Sequence, residues 1–303
     1  MNDPQSPAVL TEARAQFDEL VRTLRPELHR YCARMTGSVI DGEDIAQDTL
    51  AKAFFQLSSL GAIPDLRPWL FRIAHNKSID FLRRYEHRHG ELPDELPQPS
   101  LETEPLEQAE IAASALSWYL KLTALQRSCV ILMDVLGYSM AELCEILDLS
   151  LPAIKGALHR GRTALRQSSN VTRAITRAPL DADEERQLTV YVGHFNDRNF
   201  DALRELLASD ARLELVGRTS ALGARAVGNY FGNYARLDGW RVERGTVDGR
   251  AAILGFDNEV DVSDAIEGRP SFFILIEWRA GKVQLIRDYR YARYTTDLAQ
   301  FLL

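Results

Sequence analysis

The sequence predicts a multidomain protein of 303 residues, with two all-α helical domains followed by an α+β domain. Three observations carry this. Apolar residues recur at helical spacing from about Ala13 to Arg88, and again from about Leu106 to Ser169. Between these blocks, "HGELPDELPQPSLETEP" is rich in proline and acid and has no apolar period, as a linker does. Beyond the polar stretch "TRAPLDADEE", one amphipathic helical run gives way to strand-like runs, the order expected of an α+β domain. The expected divisions are 12–90, a linker at 91–112, 113–170, a linker at 171–183, and 184–303.

The first block reads as packed helices. In "DGEDIAQDTLAKAF", Asp41 is placed to cap a helix, and Ile45, Thr49 and Ala53 can pack. Asp44, Gln47 and Asp48 share another face. After "QLSSLGAIPD" comes "LRPWLFRIAHNKSIDFLRRYEHRH". There Arg72, Asn76, Lys77, Asp80, Arg83 and Arg84 mix cations with amide and carboxylate groups able to read bases. Trp69, Phe71, Ile73 and Phe81 are expected in the core, since most aromatics at helical spacing are packed.

The second block ends in a helix-turn-helix pattern. In "GYSMAELCEILDLS", Ser139 and Glu142 have capping-box spacing, and Leu143, Ile146 and Leu147 form a packing face. A tight turn at Asp148–Leu149–Ser150 leads into "SLPAIKGALHRGRTALRQ", with Ser150 as N-cap and Pro152 in the first turn. Lys155, His159, Arg162 and Arg166 fall within about one-sixth of the helix circumference, and Arg160 adds a further cation. Ile154, Leu158 and Leu165 gather about a quarter-turn away. One flank packs, and the next is positive.

Charge distribution supports a polyanionic partner. The formal net charge is −7, yet Leu149 to Leu180 holds six Lys/Arg and no Asp/Glu. Arg67 to Arg88 holds six Lys/Arg against Asp80 and Glu86. Two basic patches on an acidic body fit a nucleic acid bound selectively. A solvated helix face mixes signs, and this one does not. The second helix of such a motif enters the major groove, with Ala153 and Gly156 near base edges and the cations on phosphates.

Other classes are set aside by composition. The longest apolar runs are too short to span a bilayer, so a cytoplasmic protein without a membrane partner is expected. Cys32, Cys129 and Cys144 are scattered, with no zinc spacing, so no metal, cofactor or disulfide is expected.

The stretch "LTALQRSCVILMDVLGYSMAELCEILDLSLPAIKGALHRGRTALRQ" resembles region 4 of bacterial extracytoplasmic-function (ECF) sigma factors. The resemblance implies that its second helix reads the minus-thirty-five promoter element. Ala157 stands where the family usually has Arg, and Asp148 where the turn usually has Gly. "DGEDIAQDTLAKAF" resembles region 2.2, which implies docking of Asp44, Gln47 and Asp48 on the β′ clamp helices of core RNA polymerase. The helix from Arg67 resembles regions 2.3 and 2.4, which melt and recognise the minus-ten element. The family further implies promoter DNA and the polymerase β flap as partners. The sigma-like part covers about Phe17 to Gln167.

The remaining residues resemble a SnoaL-like domain, a cone-shaped α+β fold shared with ketosteroid isomerase. "YVGHFNDRNFDALRELLASDARLELVG" looks like its opening and "VQLIRDYRYARY" like its last long strand. Tyr191, His194, Trp240, Asp257 and Asp288 are candidates to line a cavity, and a small-molecule ligand is left open. The reading is a sigma factor whose extension modulates activity, with no catalytic residues of its own. Two alternatives stand beside it: a helix-turn-helix regulator acting without polymerase, and an enzyme of the ketosteroid-isomerase fold with a DNA-binding appendage.

Overall fold

The computed structural model describes residues 7–57, 65–89, 116–168, 182–257 and 268–303. It divides into two units, Met1–Arg173 and Ala174–Leu303. The first begins with three long helices, α1 (Pro7–Thr36), α2 (Val39–Leu57) and α3 (Leu66–His89). Asp41 does not cap α2. Ser38 does, its Oγ accepting the Asp41 amide at 3.2 Å, so Asp41 lies in the first turn instead. Gly42 lets α1 and α2 cross closely: a Cβ there would stand 2.5 Å from Ala33 backbone atoms.

Five shorter segments follow: α4 (Leu116–Tyr119), α5 (Ala124–Val130), a π-helical turn at Ile131–Val135, α6 (Met140–Leu147) and α7 (Leu151–Ser168). Capping boxes start two of them, Thr123 with Gln126 and Ser139 with Glu142. Asp148 takes the left-handed conformation (φ 55°, ψ 49°) that the turn requires. Asp tolerates this better than most residues, which is why the turn survives without glycine. Helix α7 begins directly after Ser150.

The two helical blocks share one hydrophobic core rather than two, and they form one unit. Tyr31 of α1 meets Phe71 of α3 edge-on at 5.7 Å, and Phe71 meets Tyr138 at 5.1 Å. Arg127 is fully buried and donates to the Met35 carbonyl of α1 and, at 3.0 Å, to that of Leu122. Its guanidinium thus answers carbonyls that packing removes from water.

The linker at 91–112 lies outside the described residues, as does most of that at 171–183. In the second unit, α8 (Ala182–Asn196), α9 (Phe200–Glu205), α10 (Ala224–Gly228) and α11 (Phe231–Tyr234) accompany a seven-stranded sheet. Its strands are β1 (Leu207–Leu215), β2 (Thr219–Leu222), β3 (Trp240–Val247), β4 (Arg250–Asp257), β5 (Phe272–Arg279), β6 (Lys282–Asp288) and β7 (Phe301–Leu302). The order is β2-β1-β6-β5-β4-β3-β7, antiparallel except where β1 runs parallel to β6. Two tight hairpins form, β3 with β4 and β5 with β6. Asp248–Gly249 and Ala280–Gly281 each place two residues at positive φ, the pattern of a tight turn between twisted strands. The helices bury Tyr191, Phe195, Phe231 and Tyr234 with one face of the sheet, which supplies Ile253, Phe272, Ile274 and Ile286.

Candidate nucleic-acid interface

On α3, Arg72, Asn76, Asp80, Arg83 and Arg84 are all exposed, and Lys77 is half-buried. Their spacing of four, four, three and one keeps them on one side of the helix. The opposite side holds Phe71, Ala74 and Leu82 in the core. The predicted readers are therefore brought together, as a stripe of cations interleaved with an amide and a carboxylate. Lys77 bonds Asp48 of α2 at 3.2 Å, which ties this stripe to the acidic face. Asp44, Gln47 and Asp48 are exposed on that face, while Ile45, Thr49 and Ala53 are buried behind it.

Helix α7 splits as expected. Ile154, Leu158 and Leu165 are buried, whereas Lys155, His159 and Arg160 are exposed. An open pocket of about 170 Å³ lies along the positive flank, lined by Lys155, His159 and Arg166 over a floor of Met140 and Leu158. Such a concavity suits an anionic oxygen better than an apolar group. Arg162 also lines it, but its guanidinium grips the buried Asp134 with two bonds, of 2.9 and 2.5 Å. Its first task is to fasten α7 to the π-helical turn. Ala157 is fully buried, so this helix could not present a cation to DNA from that position. Ala153 and Gly156 are partly exposed near the helix start, and a Cβ on Gly156 would meet only the mobile end of Arg160.

Helix α3 is tied to α1 and to the first helix of the helix-turn-helix by bonds that sequence reasoning missed. Arg67 donates to Glu27 at 2.6 Å and to the Tyr138 hydroxyl at 2.9 Å, joining α1, α3 and the segment before α6. Arg72 donates to the Glu145 carbonyl in α6. The Tyr31 hydroxyl, Ser128 Oγ and His75 Nδ1 lie 3.0–3.1 Å from one another across the block boundary. No spacing rule connects residues nearly a hundred positions apart, so only the fold reveals these contacts.

Burial lowers the His75 pKa to about 4. In the unfolded chain an imidazole titrates near 6.5, so below that pH the unfolded state takes up a proton that the folded state refuses. The contribution of His75 is therefore complete above about pH 6.5 and is lost as pH falls toward 4. The expected loss is on the order of 3 kcal/mol across that window. Urea midpoints measured from pH 7 to 4 should fall more steeply for the wild type than for His75→Gln. Parallel curves would show that His75 does not feel this burial.

In the second unit, Tyr191, Trp240 and Asp288 join one buried cluster. Sequence reasoning missed Tyr230 and Tyr234, whose hydroxyls each donate to Asp288 Oδ2 at 2.8 Å. The repeated "NYFGNY" spacing, with tyrosines four apart, was the available signal. The Arg290 amide donates to Oδ1 at 2.8 Å. Burial raises the Asp288 pKa against the opposing pull of these bonds, and it drives both phenols far above their usual range. The phenols act only as donors. His194 stands apart, half-exposed on α8, and Asp257 is held in ion pairs with Arg290 and Arg293. Of the five cavity candidates, Tyr191, Trp240 and Asp288 are buried, and His194 and Asp257 are only partly so.

A positive helix in a helix-turn-helix, in one unit with a second stripe rich in cations, is the architecture of a DNA-binding protein. Two family descriptions match the chain: sigma-70 region 2 over residues 20–88 and sigma-70 region 4 over residues 120–165. The chain is similar to RNA polymerase sigma factor NccH of Alcaligenes xylosoxydans xylosoxydans, with 31% identity over 190 residues, covering 56% of this chain and all of NccH. It is also similar to the ECF RNA polymerase sigma factor SigG of Mycobacterium tuberculosis, at 28% over 253 residues, 75% of this chain and 68% of SigG. That share exceeds what the helical unit supplies, so the match runs into the second unit. The crystal structure of the ECF sigma factor SigJ of Mycobacterium tuberculosis shares 20% identity and a TM-score of 0.34, covering 92% of this chain and 98% of that one.

The chain belongs to the RNA polymerase sigma factors of the ECF group. It is a transcription initiation factor that binds RNA polymerase and promoter DNA. Among the described residues, no helix is long and apolar enough to cross a membrane, and no cluster of His, Cys, Asp or Glu is arranged to hold a metal.

Proposed function

We propose that α2 docks through Asp44, Gln47 and Asp48 on the β′ clamp helices, while the helix-turn-helix unit engages the β flap. The α3 stripe then reads and opens the minus-ten element, and α7 reads the minus-thirty-five element, with Lys155, Arg160 and Arg166 on phosphates. The chain itself makes no bond; the polymerase supplies the chemistry. The observation that carries this is the pair of exposed reading stripes, each backed by a buried packing face. The division of the chain at 12–90, 113–170 and 184–303 and a cytoplasmic location belong to the same reading. Co-purification of the full chain with core polymerase, followed by mass spectrometry, tests it. Recovery of the chain on DNA but never with core polymerase would favour a regulator acting alone.

The same reading requires the helical unit to open. The two promoter elements lie about 25 base pairs apart, a span of ~85 Å at 3.4 Å per pair. In the structure Arg72 of α3 touches α6, so both surfaces cannot meet their elements from this arrangement. Opening exposes the shared core, and the polymerase surfaces must cover it.

The second unit acts as a regulator in this proposal. Residues 181–303 carry 16 Lys/Arg and 20 Asp/Glu, an acidic excess suited to competing with DNA for basic surfaces. Deleting everything after Asp183 should raise run-off transcript yield at equal protein concentration. Equal yields at low and high salt would remove the regulatory role and favour an enzymatic one for the extension.

A further inference from the structure

The exposed face of α2 continues past its carboxylates. With successive residues about 100° apart, Gln47, Ala51, Asp44, Phe55 and Asp48 project within an arc of about 100°. All five are exposed, while Ile45, Ala46, Leu50 and Ala53 fill the opposite side. Phe55 is 75% exposed, and Phe54, at 41%, meets it edge-on with ring centroids 6.3 Å apart. Isolated exposed apolar residues are common on soluble proteins. Two adjacent aromatics at the end of a functional stripe are different, because they give that face a direction.

We propose that Phe55 is the apolar anchor of the polymerase-docking face, which rests on the reading of α2 as the docking helix. Eleven residues separate Asp44 from Phe55, or about 16 Å along the helix. The complementary surface on core polymerase is therefore a basic element with cations opposite Asp44 and Asp48 and an apolar socket about 16 Å along from the first and about 10 Å from the second. Nucleic acid is a poor occupant, since the two carboxylates repel phosphates. The carboxylates steer the encounter, and the aromatic side chain, once desolvated in its socket, slows departure.

The test measures binding of the full chain to core polymerase for wild type, Phe55→Gln, Phe55→Leu and the Asp44→Lys/Asp48→Lys pair, at low and high salt. Phe55→Gln should weaken binding on the order of tenfold at both salts, mainly by faster dissociation, and Phe55→Leu should recover most of it. The charge-reversal effect should shrink as salt rises. Phe55 is exposed, so thermal unfolding of Phe55→Gln should match wild type. Wild-type affinity for Phe55→Gln, with weakened charge reversal, would overturn the anchor and leave the docking face standing. Undiminished binding by every variant would overturn both. A wild-type dimer that Phe55→Gln dissociates, with core affinity unchanged, would assign the patch to a second copy and overturn the anchor as well.

Discussion

Raising salt from 50 to 200 mM should weaken promoter binding about a thousandfold, if about six phosphates are neutralised. Lys155, Arg160 and Arg166 on α7 and Lys77, Arg83 and Arg84 on α3 are the cations that supply this number. Each contact releases condensed counterions, so affinity falls with a slope close to 0.9 per phosphate. Arg162 is left out of the sum because Asp134 holds its guanidinium in two bonds. Arg166→Gln should flatten the slope by about one contact and leave base preference intact. Enlarging Ala153 or Gly156 should change base preference and leave the slope alone, since both sit near the helix start. Titration of a labelled promoter fragment with holoenzyme across salt concentrations checks all three. A flat profile would refute phosphate contact.

Reversing the charge of Asp44 and Asp48 together should cost about 3 kcal/mol of core-polymerase binding, on the order of a hundredfold. Both carboxylates are exposed, so the fold should tolerate the change. The ion pair of Asp48 with Lys77, at 3.2 Å, is solvent-exposed and contributes at most about 1 kcal/mol. The loss would therefore come from the partner and not from the helix. Affinity for core polymerase and thermal unfolding of the double variant, measured side by side, separate the two. Wild-type affinity would show that α2 docks elsewhere or not at all.

Much of this was legible because short-range chemistry repeats in sequence. The capping box of Ser139 and Glu142, the left-handed Asp148 and the two hairpin turns are local, and each formed as its residues dictate. The packing sides of α2 and α7 followed from helical spacing alone. What escaped was long-range. The run "DALRELLASDARLEL" carries no glycine or proline to mark where helix yields to strand, yet α9 stops at Glu205 and β1 starts at Leu207, where pairing with β6 decides the boundary. Arg127 is buried because carbonyls of α1 and its own block converge on it, and the one from α1 belongs to a residue far away in sequence. Asp288 reads as an acid in a cavity, and the tyrosines that hold it come from 54 and 58 positions away.

The shared core of the helical blocks has the largest consequence. Bonds from Arg67 and Arg72 and the triangle of Tyr31, Ser128 and His75 hold the two helical blocks together, while the proposed contacts with two promoter elements demand separation. The polar content of this seam fits an interface that must part, since buried hydroxyls and guanidinium groups lose less on meeting water than apolar side chains do. Energy transfer between dyes on exposed Thr23 of α1 and Glu145 of α6, introduced through non-natural side chains, measures the separation directly. The free chain should show high transfer, and addition of core polymerase with promoter DNA should bring it close to zero as the surfaces move toward a span of ~85 Å. High transfer persisting in complexes that are making transcript would contradict opening of the helical unit.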